Sequence, residues 1–135
     1  VTVTYTTPEV AAVSGLTFRQ LDYHARQGTF RPQWYGQDGT VRADGGSGVR
    51  RKWSAVDLAA ATAAGQVFAA FDPVRAGDVA RLIVDGVYLW WGEASWIVVA
   101  QPRFVLPART AEEVVRIAGR FTCCTVVPLP DPLDD

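Results

Sequence analysis

The chain contains no methionine, a single histidine (His24) and only two cysteines, which stand side by side as Cys123 and Cys124. Two adjacent cysteines cannot build a disulfide framework, and neighbours in sequence rarely bridge each other, so a reducing compartment fits. With one histidine, no nucleophile has a histidine partner in a recognisable arrangement. No glycine motif for phosphate precedes a helix, and no cluster of metal-ligand residues exists. The expectation is a protein that is not an enzyme, with no catalytic residue, no metal ligand and no cofactor. Long apolar runs are also missing. None reaches the roughly 18 residues that a membrane span requires. The N-terminal VTVTYTTPEV lacks the basic segment and apolar stretch of a signal peptide. A cytoplasmic protein with no membrane partner is expected.

Net positive charge is absent too. The 135 residues carry −1 overall, which excludes a generally basic coat for nucleic acid. The distribution is more informative. Residues 1–52 hold seven Arg/Lys against four Asp/Glu, a net +3, whereas residues 53–135 hold six against ten, a net −4. A basic N-terminal half bearing a specific motif bears more on partners than the total does. Apolar residues make up 49% and charged residues 20%, enough for one compact domain or two small units sharing a core.

In the N-terminal half, Thr7-Pro8-Glu9 reads as a helix start: Thr7 caps, Pro8 takes the first helical position and Glu9 meets the positive end of the dipole. Val10, Ala11 and Val13 supply an apolar side, and Gly15 stops this short helix. Thr17-Phe18-Arg19-Gln20 then forms a capping box. Phe18, Leu21 and Ala25 follow at spacings of three and four and are expected to face the core, leaving Arg19, Tyr23 and Arg26 on other faces. Gly28 ends the second helix. Two short helices joined by a glycine-bearing turn fit a helix-turn-helix. They equally fit a plain helical hairpin within some other core.

The following segment separates these readings. Phe30-Arg31-Pro32 leads into the glycine-rich WYGQDGTVRADGGSG, and Val49-Arg50-Arg51-Lys52-Trp53 returns from it. This resembles a wing: a hairpin beside the second helix, with cations for phosphates. Ser54-Ala55-Val56-Asp57 is a further capping box, opening a helix that carries Leu58, alanine-rich turns, Val67, Phe68 and Phe71.

Taken in order, Tyr5-Thr6-Thr7, Leu21-Asp22-Tyr23, Gly28, Arg51-Lys52-Trp53 and Ser54-Ala55-Val56-Asp57 resemble the DNA-binding domain of the MerR family of transcription regulators. The resemblance covers residues 4 to about 70. It implies that Thr17 and Arg19, at the start of the recognition helix, meet bases or phosphates. Tyr23 and Arg26 would reach the backbone, Arg51 would contact phosphate from the wing, and Trp53 would pack the wing onto the domain. Gln20 joins this DNA-binding set, and Arg50 and Lys52 join it by charge. Two positions depart from the family pattern. Asp22 stands where Arg is common and would repel phosphate if it faced DNA. His24 replaces an aromatic and is expected on the helix surface, not as a ligand or pH switch. The family's long dimerising helix is not evident.

In residues 72–135, Asp72-Pro73 is expected to cap a helix running through Val79, Leu82 and Ile83 to Gly86. Residues 87–91 and 96–100 read as two strands of a hairpin closed by Gly92-Glu93-Ala94-Ser95. Thr110-Ala111-Glu112-Glu113 opens another helix, ended by Gly119, and residues 121–127 read as a buried strand. Pro128, Pro130 and Pro132 end regular structure before a loose acidic tail. Strand alternation would put Trp90 and Trp91 on opposite faces. With Trp96 they suit packing or an oligomer surface, and a small-molecule effector pocket second. Cys123 and Cys124 would also face opposite ways, which disfavours a shared metal.

The expected fold class is α+β. A winged helix-turn-helix occupies residues 1–71, and a connecting helix with a small β-hairpin–helix–strand module, for dimerisation or effector binding, occupies residues 72–135. The expected function is a sequence-specific regulator of transcription that binds double-stranded DNA as a homodimer. The alternatives are an architectural DNA-binding factor, such as a recombination accessory or phage packaging recognition subunit, and a protein-interaction module that has lost DNA binding.

Overall fold

A computed structural model describes residues 3–35, 41–42, 50–70, 73–100, 104–121 and 124–129. The fold is mixed α+β. Helices α1 (Thr7–Ser14) and α2 (Phe18–Arg26) come first, then strands β1 (Gln33–Tyr35), β2 (Val41–Arg42) and β3 (Arg50–Lys52). Helices α3 (Ala55–Ala70) and α4 (Pro73–Trp90) follow, then β4 (Trp96–Ala100), β5 (Phe104–Ala108), α5 (Ala111–Ala118) and β6 (Cys124–Pro128). The described residues form two antiparallel three-stranded sheets, ordered β2-β1-β3 and β5-β4-β6. No helix among them is long and apolar enough to cross a membrane. Most of the glycine-rich stretch, Phe71, Asp72, Cys123 and residues 130–135 lie outside the described residues.

Helix α1 starts one residue earlier than expected. Thr6, not Thr7, is the N-cap: its hydroxyl accepts from the Glu9 backbone amide at 3.4 Å, and the Glu9 carboxylate accepts from the Thr6 amide at 3.0 Å. A capping box needs its acidic residue three positions on, and Glu9 satisfies that only from Thr6. Pro8 therefore sits in the first turn, where a missing N–H does no harm. The helix ends at Gly15, whose φ of 77° is the left-handed conformation that favours glycine. Val10 is buried, but Val13, expected beside it, is exposed, and Ser14 takes the inner position.

Helix α3 is the axle of the molecule. Ser54 and Asp57 form the expected box at its start, with the Ser54 amide and hydroxyl donating to Asp57 at 2.8 and 2.9 Å. Ala59, Ala60, Ala61, Ala63, Ala64 and Val67 are all buried. Such small side chains allow close approach: α1 and α4 both pack on α3. At Gly65 a β-carbon would lie 2.0 Å from the Ser14 carbonyl oxygen, so only glycine fits this crossing. One apolar cluster joins Val10, Leu21, Phe30 and Trp53 to Ile83 and Val87 of α4 and to Ile97, Val99 and Val127 of the second sheet.

Helix α4 overturns an expectation. Residues 87–91 do not form a strand: the helix continues through Gly86 to Trp90, and Gly92, with φ 83°, lies in the turn that follows. Gly86 survives inside the helix because the sheet presses on it there. A β-carbon would stand 2.9 Å from Val105 and 3.0 Å from Ile97. Trp90 and Trp91, no longer alternating strand residues, both pack against the core from the helix end.

The hairpin is instead β4–β5, with β5 not expected from the sequence, and β6 pairs along the other edge of β4. All of residues 97–100 are buried. Ile97 and Val99 join the main core beneath α4, while Val98 and Ala100 lie on the opposite face, where α5 packs on β4 and β5. Thr110 caps α5, accepting from the Glu113 amide at 3.2 Å, but the Glu113 carboxylate turns to the Arg109 amide at 3.1 Å, so the reciprocal half of the expected box is not made.

Candidate nucleic-acid interface

The site begins with the start of α2. Thr17 and Gln20 form the expected box, the Gln20 amide donating to the Thr17 hydroxyl at 3.1 Å and the Thr17 amide to the Gln20 side-chain oxygen at 2.8 Å. Both side chains are thereby engaged in holding the helix end. Leu21 is fully buried and anchors α2 to the core. Phe18, expected in the core beside it, is 62% exposed and Tyr23 is 58% exposed; Arg19 and Arg26 also reach solvent. Position 18 is the first helical residue, and it lies beyond the edge of the buried stripe that Leu21 defines.

Strand β3 alternates exposed, buried, exposed. Arg50 and Lys52 therefore share one face and Arg51 takes the other. Arg51 does not project from a wing towards phosphate as the resemblance implies. Its side chain is 4% exposed and donates to Asp22 at 2.7 Å. Asp22 also receives Arg26, four residues on, at 2.9 Å. Burial pushes the Asp22 carboxyl up, but the hydrogen bonds from Arg51 and Arg26 outweigh it and hold the group below the usual carboxylate range. The residue expected to repel phosphate is thus a paired anion joining α2 to β3.

Trp53 fixes the same corner. It is fully buried, its indole N–H donates to the Thr7 hydroxyl at 3.0 Å, and its backbone bridges to Tyr5. Phe30 packs edge-on against it with ring centroids 5.8 Å apart. The result is an open cleft of about 390 Å³, with Thr6, Thr7 and Pro8 on one wall, Phe18 and Asp22 on another, and Arg50 and Arg51 on the third.

Behind this corner a polar chain crosses the molecule. Tyr88 of α4 donates its hydroxyl to buried Asp57 and accepts from the Arg31 amide at 2.9 Å. The Arg31 guanidinium lies 4.4 Å from the Tyr88 ring centre and 3.6 Å from Asp85. Burial and the adjacent Asp57 charge push the Tyr88 phenol far above its ordinary value. The segment after α2 is thus fastened to α4 and to the start of α3. The sequence held no sign of this, because Asp57 and Tyr88 are 31 residues apart.

His24 is not the plain surface residue expected. It is half-buried among Tyr23, Phe30 and Phe68, with centroid separations of 5.2, 5.8 and 5.5 Å. Desolvation holds its pKa below the ordinary histidine value. No group of three or more His, Cys, Asp or Glu among the described residues is placed to hold a metal. Trp91 lines a separate apolar cavity of about 380 Å³ with Leu58, Thr62, Gln66 and Leu129. No protein-family model matches the chain, and no curated protein matches it.

Proposed function

We propose that this chain is a sequence-specific regulator of transcription that binds double-stranded DNA through a MerR-like winged helix-turn-helix. In this reading α1 and α2 are the helix pair, β1 to β3 form the wing, and no residue is catalytic. One observation carries it: the Asp22–Arg51 ion pair ties α2 directly to β3, so the two elements that carry the exposed cations are braced against each other. Arg19 and Arg26 are exposed on α2, Arg50 and Lys52 on β3. A short helix braced at its base and a cationic strand beside it match what a duplex groove and its flanking phosphates require.

The roles divide by geometry. Arg19, one residue into α2, reads major-groove base edges. Arg26, Arg50 and Lys52 contact phosphates and set the register, and Tyr23 reaches the backbone. Thr17 and Gln20 shape the helix start. Arg51 positions the wing through Asp22 instead of touching DNA. The C-terminal module brings a second copy to a second half-site, and the protein works in the cytoplasm.

Footprinting on the neighbouring genomic region, with a salt titration of affinity, tests the proposal. Protection of two half-sites about one helical turn apart is the expected result. Failure to retain any duplex at low salt would end this reading in favour of a protein-interaction module.

A further inference from the structure

We propose that Phe18 reads a thymine through its C5-methyl group; this rests on the DNA-binding reading above. Phe18 is the first residue of α2, the end of a recognition helix that enters the groove. Its ring is 62% exposed, although Leu21, three residues on, is fully buried and offers an apolar neighbourhood nearby. The ring instead lines the cleft shared with Arg50 and the start of α1.

The surroundings define the partner. Thr17 and Arg19, on either side of Phe18 in sequence, are exposed and polar, and Arg50 stands across the cleft. The neighbouring acid, Asp22, is already paired with Arg26 and Arg51. A ring that shares its cleft with Pro8 and two threonines, and has Arg50 across from it, suits a polyanion that presents an isolated apolar group. Of the base edges in the major groove, thymine alone presents one, its C5-methyl. A protein partner would call for a wider apolar core around the ring.

The experiment removes that one methyl. The full-length chain selects a duplex from a random library. The selected duplex is then resynthesised with each thymine replaced in turn by deoxyuridine, which keeps every hydrogen-bonding group. Affinities are read at low salt, where phosphate contacts hold weakened variants on the duplex. For the unaltered chain, one replacement in each half-site lowers affinity about fourfold, the effect of one buried methyl. In Phe18→Ala that ratio falls to one, and Phe18→Leu keeps part of it. The ring is exposed, so neither substitution disturbs the core, and the melting temperature of each variant checks this. A selected site with no required thymine, or the same thymine-to-uracil ratio in Phe18→Ala as in the unaltered chain, overturns the role of Phe18 and leaves the DNA reading standing. If no duplex is selected at all, both fail together.

Discussion

Arg51 and Asp22 lie 29 residues apart in sequence, yet the guanidinium of one donates to the carboxylate of the other at 2.7 Å. The bond closes the angle between α2 and β3. Because the Arg51 side chain is nearly inaccessible, neutralising Asp22 takes a counter-charge away from a buried cation. Asp22→Asn should therefore destabilise the fold by about 3 kcal/mol, and pairing it with Arg51→Met should recover part of that loss. Urea unfolding of the two single variants and the double variant measures the coupling. The pH dependence follows from the lowered Asp22 pKa. The pair's contribution is complete above the ordinary carboxyl value of 3.8 and is lost as pH falls through the lower folded value. Asp22→Asn should flatten the acid limb of the stability profile.

On the proposed DNA-binding reading, the same geometry predicts different responses for three arginines. Arg19→Ala should cost about 1–3 kcal/mol at one base pair and relax selectivity there. Arg50→Ala should weaken all sequences alike and reduce the salt slope by about one. Arg51→Ala should act through stability: its melting temperature falls before any change in salt slope appears. Anisotropy titrations at several salt concentrations, beside thermal melts, distinguish the three. A fall in salt slope for Arg51→Ala at full stability would contradict its inward role.

Two glycines in helices should respond in opposite directions. Gly65→Ala drives a methyl into the Ser14 carbonyl, a contact of 2.0 Å against backbone that cannot step aside. A loss of about 3 kcal/mol or more is expected, the upper end for overpacking. Gly77, in the interior of α4, has nothing within 4 Å of the new atom. Gly77→Ala should stabilise by about 0.5–1 kcal/mol through helix propensity and reduced freedom of the unfolded chain. Denaturant midpoints decide both.

His24 supplies a pH signal near neutrality. Burial lowers its folded pKa from the ordinary 6.5, so the folded state binds this proton less readily than the unfolded chain does. Its contribution is fully present above pH 6.5 and declines as pH falls towards the folded value. As the only histidine, it makes the assignment clean. His24→Phe, which keeps a ring among Tyr23, Phe30 and Phe68, should remove that slope between pH 7.5 and 5.5. Chemical unfolding across the interval measures it, and an unchanged slope would show that other groups are responsible.

What could be read from sequence was local. The boxes at Thr17 and Ser54 each depend on residues three apart, and both stand as expected. Thr7 and Thr6 compete for the same role, and the position of Glu9 decides between them. Phe18 illustrates a limit of periodicity: spacing from Leu21 defines a stripe but not where along the helix the core stops. Residues 87–91 form an unbroken apolar run, which fits a buried strand and a buried helix equally well. Gly86 suggested a stop, but the reason for that glycine is Ile97 and Val105 across the helix–sheet contact. The inward turn of Arg51 was equally hidden. Three cations in a row look like a solvated patch until strand alternation is known, and only the pairing with Asp22 distinguishes the middle one.

The central position of α3 has a calorimetric consequence. This helix is covered by α1 and by α4, and Tyr88 fastens its first turn to the segment after α2. Severing the chain near residue 71 would leave each fragment with a raw apolar flank and no means of closing it. Heat should accordingly melt the helix pair and the β4–β6 sheet together, in one endotherm whose van't Hoff and calorimetric enthalpies agree.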